Sequence, residues 1–591
     1  MIDKQIKPDY LFEVSWEICN KVGGIHTVIS TKSLTLLEDF KNNLILIGPD
    51  LWRDTEKHPE FIEDLQLHSS WKNKAFEEGL RVRVGRWNIS GKPIAILVDF
   101  TSFFSLKNEI FKEFWETYEL DSITGQWDYV EPGLFGYAAG KVIESFTKFQ
   151  LSLRHRIVAQ FHEWMTGTGL LYLKTRMPQI GTIFTTHATV MGRCLAGNYL
   201  PLYSNLEKYN ADVKAVEFNV VSKQSLEKIS AREADCYTTV SDITAKECAQ
   251  FHGKKVDIVT PNGFENSFIP EAEEFKLRRI EAKVKFYEVA EALLAHDVTK
   301  DALVVGISGR YEFKNKGIDV FIDALAKLNN CPDLNREVLA FILIPSSHHG
   351  PRRDVFKNLQ EKENENVIVL SNTHLTHYLN DPEYDSILNR IKHVGLHNSS
   401  SDKVKIFFVP CYLNGDDGIF NMPYYDLLIG MDITVFPSYY EPWGYTPLES
   451  LAFHVPTITT TLAGFGLWVK DYFKLNHPGI KIIDRTDDND AYVVEEVSKA
   501  ICYYSTLNLA QQEEVRNNAF EVSQIALWSN LIDLYKQAYS IALHKVEART
   551  HQFLDQDRWI RKDQWHQDSS TTKDFSIVHR VQLVSRVCFS G

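Results

Sequence analysis

The sequence predicts an α/β protein of two domains, each built around a parallel sheet. Three observations predict it. Short apolar runs alternate with longer amphipathic segments. That rhythm stops at a charged helical stretch, residues 271–300, and then restarts. The chain has 591 residues, 44% of them apolar, enough for more than one large core.

Before the charged stretch, the runs predicted as strands are 10–15, 44–48, 93–98, 157–162, 182–186, 236–240 and 256–260. After it come 303–308, 338–344, 367–370, 404–409, 433–437 and 457–459. They are rich in Val, Ile and Phe, as suits strands covered on both faces. Residues 136–149 and 319–328 suit crossover helices. The expected division is a first domain over 1–275, a second over 276–500, and closing helices over 501–545 that pack back on the first. A partly disordered tail is expected over 546–591. In open parallel sheets ligands gather at the carboxyl ends of strands, so the chemistry should lie in the loops there.

Composition narrows the function. The formal net charge is -14, which disfavours coating a nucleic acid; an anionic ligand would need a few local cations. Eight scattered cysteines without a C-x-x-C pair read as reduced thiols, and favour the cytoplasm. No signal peptide or apolar stretch of membrane-spanning length is visible.

Four strand-end loops carry chemistry. Lys21-Val22-Gly23-Gly24 follows the first strand, and its paired glycines let backbone amides meet a phosphate. An ordinary strand-to-helix turn is the plainer reading. Arg310-Tyr311-Glu312-Phe313-Lys314-Asn315-Lys316-Gly317 follows 303–308; Arg310 and Lys316 could clamp a diphosphate, against a solvated basic loop. Glu441-Pro442-Trp443-Gly444-Tyr445-Thr446-Pro447-Leu448-Glu449 follows 433–437 and opens a helix. There the amides at Gly444, Tyr445 and Thr446 suit an anion, and Glu441 and Glu449 suit hydroxyls. Capping is the alternative for the two glutamates. Finally His162-Glu163-Trp164 and His187-Ala188-Thr189 end neighbouring strands, with Arg193 six residues beyond His187. A metal is not expected: no H-E-x-x-H occurs, Asp488-Asn489-Asp490 and Asp555-Gln556-Asp557 lie in polar stretches, and Asp416-Asp417-Gly418 lacks the rest of a calcium loop. Gly167-Thr168-Gly169 lacks a third glycine and reads as helix packing rather than a nicotinamide site.

Together these loops resemble one family. Residues 12–25, 160–164, 185–189, 260–263, 309–317 and 437–447 are similar, in order, to the animal and fungal type of glycogen synthase. The resemblance implies the GT-B fold, two Rossmann-like domains facing each other across a deep cleft. It implies retaining transfer of glucose from UDP-glucose to the non-reducing end of a glycogen α-1,4-glucan, with no cofactor. By the same resemblance Lys21, Arg310 and Lys316 hold the diphosphate, Glu441 meets the transferred glucose, and Glu449 holds the ribose. His187, Arg193 and Asn262 line the sugar and phosphate site. Tyr424 stacks on the uracil, although Tyr425 is equally placed. Whether Glu441 becomes a covalent nucleophile is left open.

Three departures from the family pattern bear on regulation. Residues 348–404 are too short for the helical insertion that builds the eukaryotic tetramer, so any homo-oligomer should differ from it. The helix matching the arginine-rich sugar-phosphate switch keeps only Arg516. The phosphorylated flanks are missing from the chain as given. A glycogenin-like primer is the remaining partner that the resemblance suggests. The competing readings are a transferase using ADP-glucose or a small-sugar acceptor, and a non-catalytic glycan binder.

Overall fold

The computed structural model describes residues 5–53, 58–152, 154–361, 367–474 and 477–564, with side chains as far as Arg549. The first lobe holds a nine-stranded sheet. Its strands are β1 (Tyr10–Val14), β2 (Leu44–Pro49), β3 (Phe61–Glu63), β4 (Arg81–Trp87), β5 (Ile94–Asp99), β6 (Ile157–His162), β7 (Gly181–Thr186), β8 (Cys236–Thr239) and β9 (Ile258–Val259). Their order is β3-β4-β5-β2-β1-β6-β7-β8-β9, parallel except where β4 joins β3 and β5.

The second lobe holds β10 (Leu303–Ser308), β11 (Val338–Leu343), a two-stranded ribbon of β12 (His348–Pro351) and β13 (His377–Leu379), then β14 (Val404–Val409), β15 (Ile433–Val435), β16 (Thr457–Thr460) and β17 (Ile480–Ile483). Its main sheet, β14-β11-β10-β15-β16-β17, is wholly parallel. Every residue of β2, β6, β7, β10, β11 and β14 is buried, as continuous apolar runs require when helices cover both faces. The fold is GT-B.

Gly167-Thr168-Gly169 does serve helix packing. A side chain at Gly169 would run into the carbonyl of Gly136, on the long helix Trp127–Gln150. The charged stretch forms the helix Ala272–Leu294, which lies on the second sheet through Phe286, Val289 and Leu293.

Several elements differ from the expectation. Residues 367–370 form no strand, because the Asn358 amide takes both backbone groups of Ile368, each at 2.8 Å. β4 escaped the apolar pattern because Arg and Val alternate through its first four residues. β17 is a short edge strand. The helix Asp490–Ser505 runs through residue 500, where the second domain was expected to end. The closing helices divide their packing. Leu509–Gln524 lies on the second lobe, where Ala519 and Val522 meet Leu448 and Leu451. Trp528–Gln564 crosses the first sheet, packing Trp528, Ile532, Tyr539 and Ala542 against Leu11, Leu44, Val158 and Ile183. The last helix continues to Gln564, and residues 565–591 of the expected tail lie outside the described residues. Arg549 anchors it by pairing with Asp235 and bonding the Pro178 carbonyl at 2.9 Å.

The region 348–404 holds two eight-residue helices, Arg353–Gln360 and Ser386–His393, among the described residues. Seven described cysteines are free; Cys331 and Cys502 face each other with sulfurs 3.1 Å apart. No helix among the described residues is long and apolar enough to cross a membrane.

The entry of the last helix gives a test of packing. A Cβ at Gly263 would lie 2.5 Å from the Trp528 ring, which is itself buried. Gly263→Ala should therefore destabilise the protein by about 1–3 kcal/mol, read as a lower midpoint in denaturant melts.

Candidate active-site cleft

The site begins where β15 ends. Its continuation, residues 436–444, folds against the loop after β10. The amides of Tyr439 and Tyr440 both donate to the Asn315 carbonyl, at 2.8 and 3.1 Å. Gly317 makes this approach possible. Its φ is +70°, and a side chain there would collide with the Pro437 carbonyl. The buried Arg485 guanidinium donates to that carbonyl and also pairs with Asp490, at 2.7 Å. Asp490 in turn receives Lys314. The docked loops bring the Lys316 ammonium onto the Glu441 carboxylate as a largely buried ion pair. Arg310 stays exposed and rests on Glu312 at 3.1 Å.

The next turn starts the helix Tyr445–Ala452. Gly444, at φ +109°, is its N-cap, and no side chain caps it. The first-turn amides, including those of Tyr445 and Thr446, therefore face the cleft end of the helix as an anion-binding terminus. Glu449 lies on this helix, only 8% exposed, and accepts from the Tyr425 hydroxyl at 2.8 Å. Burial raises its pKa; that bond and the charge of Lys21, from the other lobe, pull it back. Tyr425 is spent on structure, its ring stacked on Phe268 and Phe453. Tyr424 has its hydroxyl on Ser308 at 2.7 Å and only a tilted ring contact with Tyr425.

The first lobe supplies the opposite wall. Gly24 faces Tyr445 across the cleft; a Cβ on it would lie 3.8 Å from that ring. The amide of Gly23 does not wait for a phosphate, which corrects the expectation for this turn. Glu17 accepts it at 2.7 Å and the His26 amide at 3.0 Å, so a carboxylate from the chain already caps the helix Gly24–Phe40. His187 Nε2 lies 2.9 Å from His162 Nδ1. His162 is 1% exposed and sits behind His187 rather than in the cleft. Glu163, with φ +67°, accepts the amides of His187 and Ala188, each at 2.9 Å, and thus holds the loop. Burial and the neighbouring Glu227 push its carboxyl upward, against the pull of Arg193. Trp164 turns away, stacked on Tyr129 with Lys223 over its ring. Arg193 is exposed, and its charge acts on Glu163, Glu312 and Glu441. Asn262 is buried, 3.5 Å from the Tyr535 hydroxyl.

Four contacts fasten the lobes together at this point. The Tyr439 hydroxyl accepts the Leu202 amide at 3.0 Å. The Tyr440 hydroxyl donates to Glu247 at 3.2 Å. Ser241 donates to the Pro442 carbonyl at 2.6 Å, and Tyr445 to the Gly263 carbonyl at 3.2 Å.

The structure therefore gathers Lys21, Arg193, Arg310, Lys316, Glu441, Glu449 and His187 around one cleft. It leaves His162, Glu163 and Trp164 as supports. Sequence reasoning missed Glu13, Lys32, Glu17, Glu247 and Tyr440. Glu13 did leave a signal, as the one charge inside an apolar strand. His377, Cys411 and Asp417 approach one another within 4.8 Å, with donor types that could hold a metal. Those donors are largely engaged already: His377 bonds the Asp417 carbonyl and Thr376, and the Asp417 carboxylate takes the amides of Ile419, Phe420 and Asn421.

A family model described as glycogen synthase matches residues 13–361 and 365–585. The chain belongs to the glycogen synthase family. Liver glycogen [starch] synthase of Mus musculus is 30% identical over 595 residues, covering 91% of this chain and 83% of that protein. Glycogen [starch] synthase isoform 1 of Saccharomyces cerevisiae is 29% identical, covering 92% and 87%. Among solved structures, the catalytic domain of starch synthase IV from Arabidopsis thaliana, bound to ADP and acarbose, superposes with a TM-score of 0.53 at 13% identity, over 91% of this chain and all of that one. This likeness shows the fold. Membership makes the glycogen synthase a glucosyltransferase.

The seam of this glycogen synthase gives a pH test. Burial raises the Glu247 carboxyl to about 7, although Thr189, Tyr203 and Tyr440 donate to it. The folded state thus binds this proton more tightly than the unfolded chain. The effect on stability is absent below the ordinary carboxylate range, and stability falls as pH rises towards 7. Glu247→Gln should remove that fall, leaving stability flatter between pH 5 and 8. Melting temperatures from pH 5 to 8 would show it; a parallel decline in both proteins would contradict it.

Proposed function

We propose that this glycogen synthase transfers glucose from UDP-glucose to the non-reducing end of an α-1,4-glucan, with retention at the anomeric carbon and without a metal. The observation that carries the reading is the Lys316–Glu441 pair at the mouth of a helix N-terminus. Around it stand Arg310, Arg193 and Lys21, cations exposed in a protein of net charge -14. A sugar diphosphate needs such a local excess of positive charge.

As the bond to the anomeric carbon breaks, negative charge grows on the leaving diphosphate. Lys316, Arg310 and the amides at Tyr445 and Thr446 are fixed beforehand to receive it. The glucosyl carbon becomes positive, and the carboxylate of Glu441 lies beside Lys316 to balance it. Glu449 and Tyr424 take the nucleoside, as ribose acceptor and stacking ring. In this reading the acceptor hydroxyl enters on the face the diphosphate leaves, and that phosphate takes its proton. Closure of the lobes excludes water, which would otherwise hydrolyse the donor. We place the enzyme in the cytoplasm, in keeping with the seven free thiols among its described residues.

Labelled glucose should enter glycogen from UDP-glucose and not from ADP-glucose; the reverse preference would overturn the donor assignment. Lys316→Ala and Glu441→Gln should each lower kcat/KM by about 100–1,000-fold with glycogen binding intact. Glucose 6-phosphate should leave the rate within about twofold, since a coupling large enough to notice exceeds that. Arg516, the one arginine of the closing helix Leu509–Gln524, is only 4% exposed. A several-fold stimulation would contradict this.

A further inference from the structure

We propose that Glu13 and Lys32, buried behind the first sheet, are positioning residues. They fix the tautomer of His162 and, through it, that of His187. His187 then offers a bare ring nitrogen as hydrogen-bond acceptor to a hydroxyl of the transferred sugar. The inference rests on the proposed glucosyl transfer for its last step, and on the structure alone for the rest.

The groups stand in sequence, with ionic contacts from Lys32 to His162 and a hydrogen bond between the two rings. Lys32 Nζ lies 2.8 Å from Glu13 Oε1, both side chains fully buried. Glu13 Oε2 lies 3.4 Å from His162 Nε2, and His162 Nδ1 lies 2.9 Å from His187 Nε2. The contact is ionic and not a formed hydrogen bond, but a negative carboxylate facing Nε2 favours the neutral His162 tautomer with its proton on that nitrogen. Its Nδ1 is then bare and accepts from Nε2–H of His187. That leaves Nδ1 of His187 bare, with no partner among the described residues. His187 keeps 8% of its surface open, and His162 keeps 1%. The relay thus ends at the cleft as an acceptor.

Lys32 has a specific part in this. Glu13 alone would favour a doubly protonated His162, which could no longer accept from His187. The ammonium of Lys32 cancels that pull. Burial lowers the pKa of both histidines, His187 well below its ordinary value, and Lys32 and Arg193 add to the effect there. Burial pushes the Glu13 carboxyl up, but Lys32 and His162 outweigh it and bring it down to about 2, so it stays ionised. The remaining groups facing the pair are Glu163, which holds the His187 amide, and the phenols of Tyr535 and Tyr539 from the closing helix. The Lys32 ammonium lies 4.6 Å from the Tyr535 ring centre. An ion pair this deep is a poor stabiliser compared with two apolar side chains, so a task of orientation suits it better than one of stability. Partners of this kind behind a functional imidazole are worth about 10–100-fold in activity where they have been removed.

Two measurements test it. Ring NMR of the histidine-labelled protein from pH 6 to 8 should show His162 and His187 neutral, each protonated on Nε2. An imidazolium or an Nδ1–H form at either position overturns the relay, whatever the activity. In glucose transfer, Lys32→Met and Glu13→Gln should each lower kcat by about 10–100-fold while donor KM changes little. Lys32→Met should also move the acid limb of the kcat profile to higher pH, because His162 then takes up a proton. Glu13→Gln should not move it. Folded variants with wild-type kcat and pH profile would overturn the proposal. If Lys32→Met fails to fold, the wild-type NMR result still decides. A wild-type protein that transfers nothing from UDP-glucose overturns the donor reading, and the ring tautomers then judge the relay separately.

Discussion

The docking of residues 436–444 is the constraint on which the cleft depends. One side of that segment is held by the loop after β10, through the Asn315 carbonyl and the close approach at Gly317. The other side is held by the first lobe, through Tyr439, Tyr440 and Pro442. Arg485 locks its root at the Pro437 carbonyl. Glu441 is therefore placed relative to both lobes by one piece of backbone. Loosening any of these contacts would let the carboxylate, Lys316 and the helix terminus drift apart together.

Charge is distributed so that the cleft is cationic while the molecule is acidic. Lys316 is balanced by Glu441, but Lys21, Arg193 and Arg310 stand open at the surface. Carboxylates beneath them serve the backbone instead. Glu163 holds the amides after β7, Glu227 takes the Val190 amide and His252, and Glu17 caps the glycine-turn helix. Each is buried where a charge is costly, and each accepts backbone amides, Glu227 together with the His252 ring. The effect is to fix loops that carry ligand-facing groups without placing a bare negative charge in the cleft. This is electrostatic preorganisation built from the backbone outward.

The same logic explains why some residues near the motifs do not face the ligand. Glu163 adopts a left-handed conformation that turns its carboxylate under the next strand's loop. Trp164 fills an aromatic gap beside Tyr129, and His162 is covered by the sheet it ends. All three sit beside His187 at strand ends, so spacing alone could not separate the residues that face the cleft from the layer behind them. Tyr424 and Tyr425 were equally placed in sequence. Only the stacking of Tyr425 between Phe268 and Phe453 separates them.

The sequence by itself determined the class of fold, most buried strands and the loops that carry Arg310, Lys316, Glu441 and Glu449. Those features are local: apolar periodicity, glycine at left-handed turns and charge at strand ends are written in consecutive residues. Tertiary structure alone decided what crosses between distant segments. The Lys316–Glu441 pair joins positions 125 apart, and the closing helix reaches Thr31 through Trp528 across 497. The capture of the Gly23 amide by Glu17 and the contacts that run from Lys32 to His187 also belong here. Such contacts depend on which surfaces the packed sheets bring together, and no local pattern encodes a partner that lies on another strand or lobe.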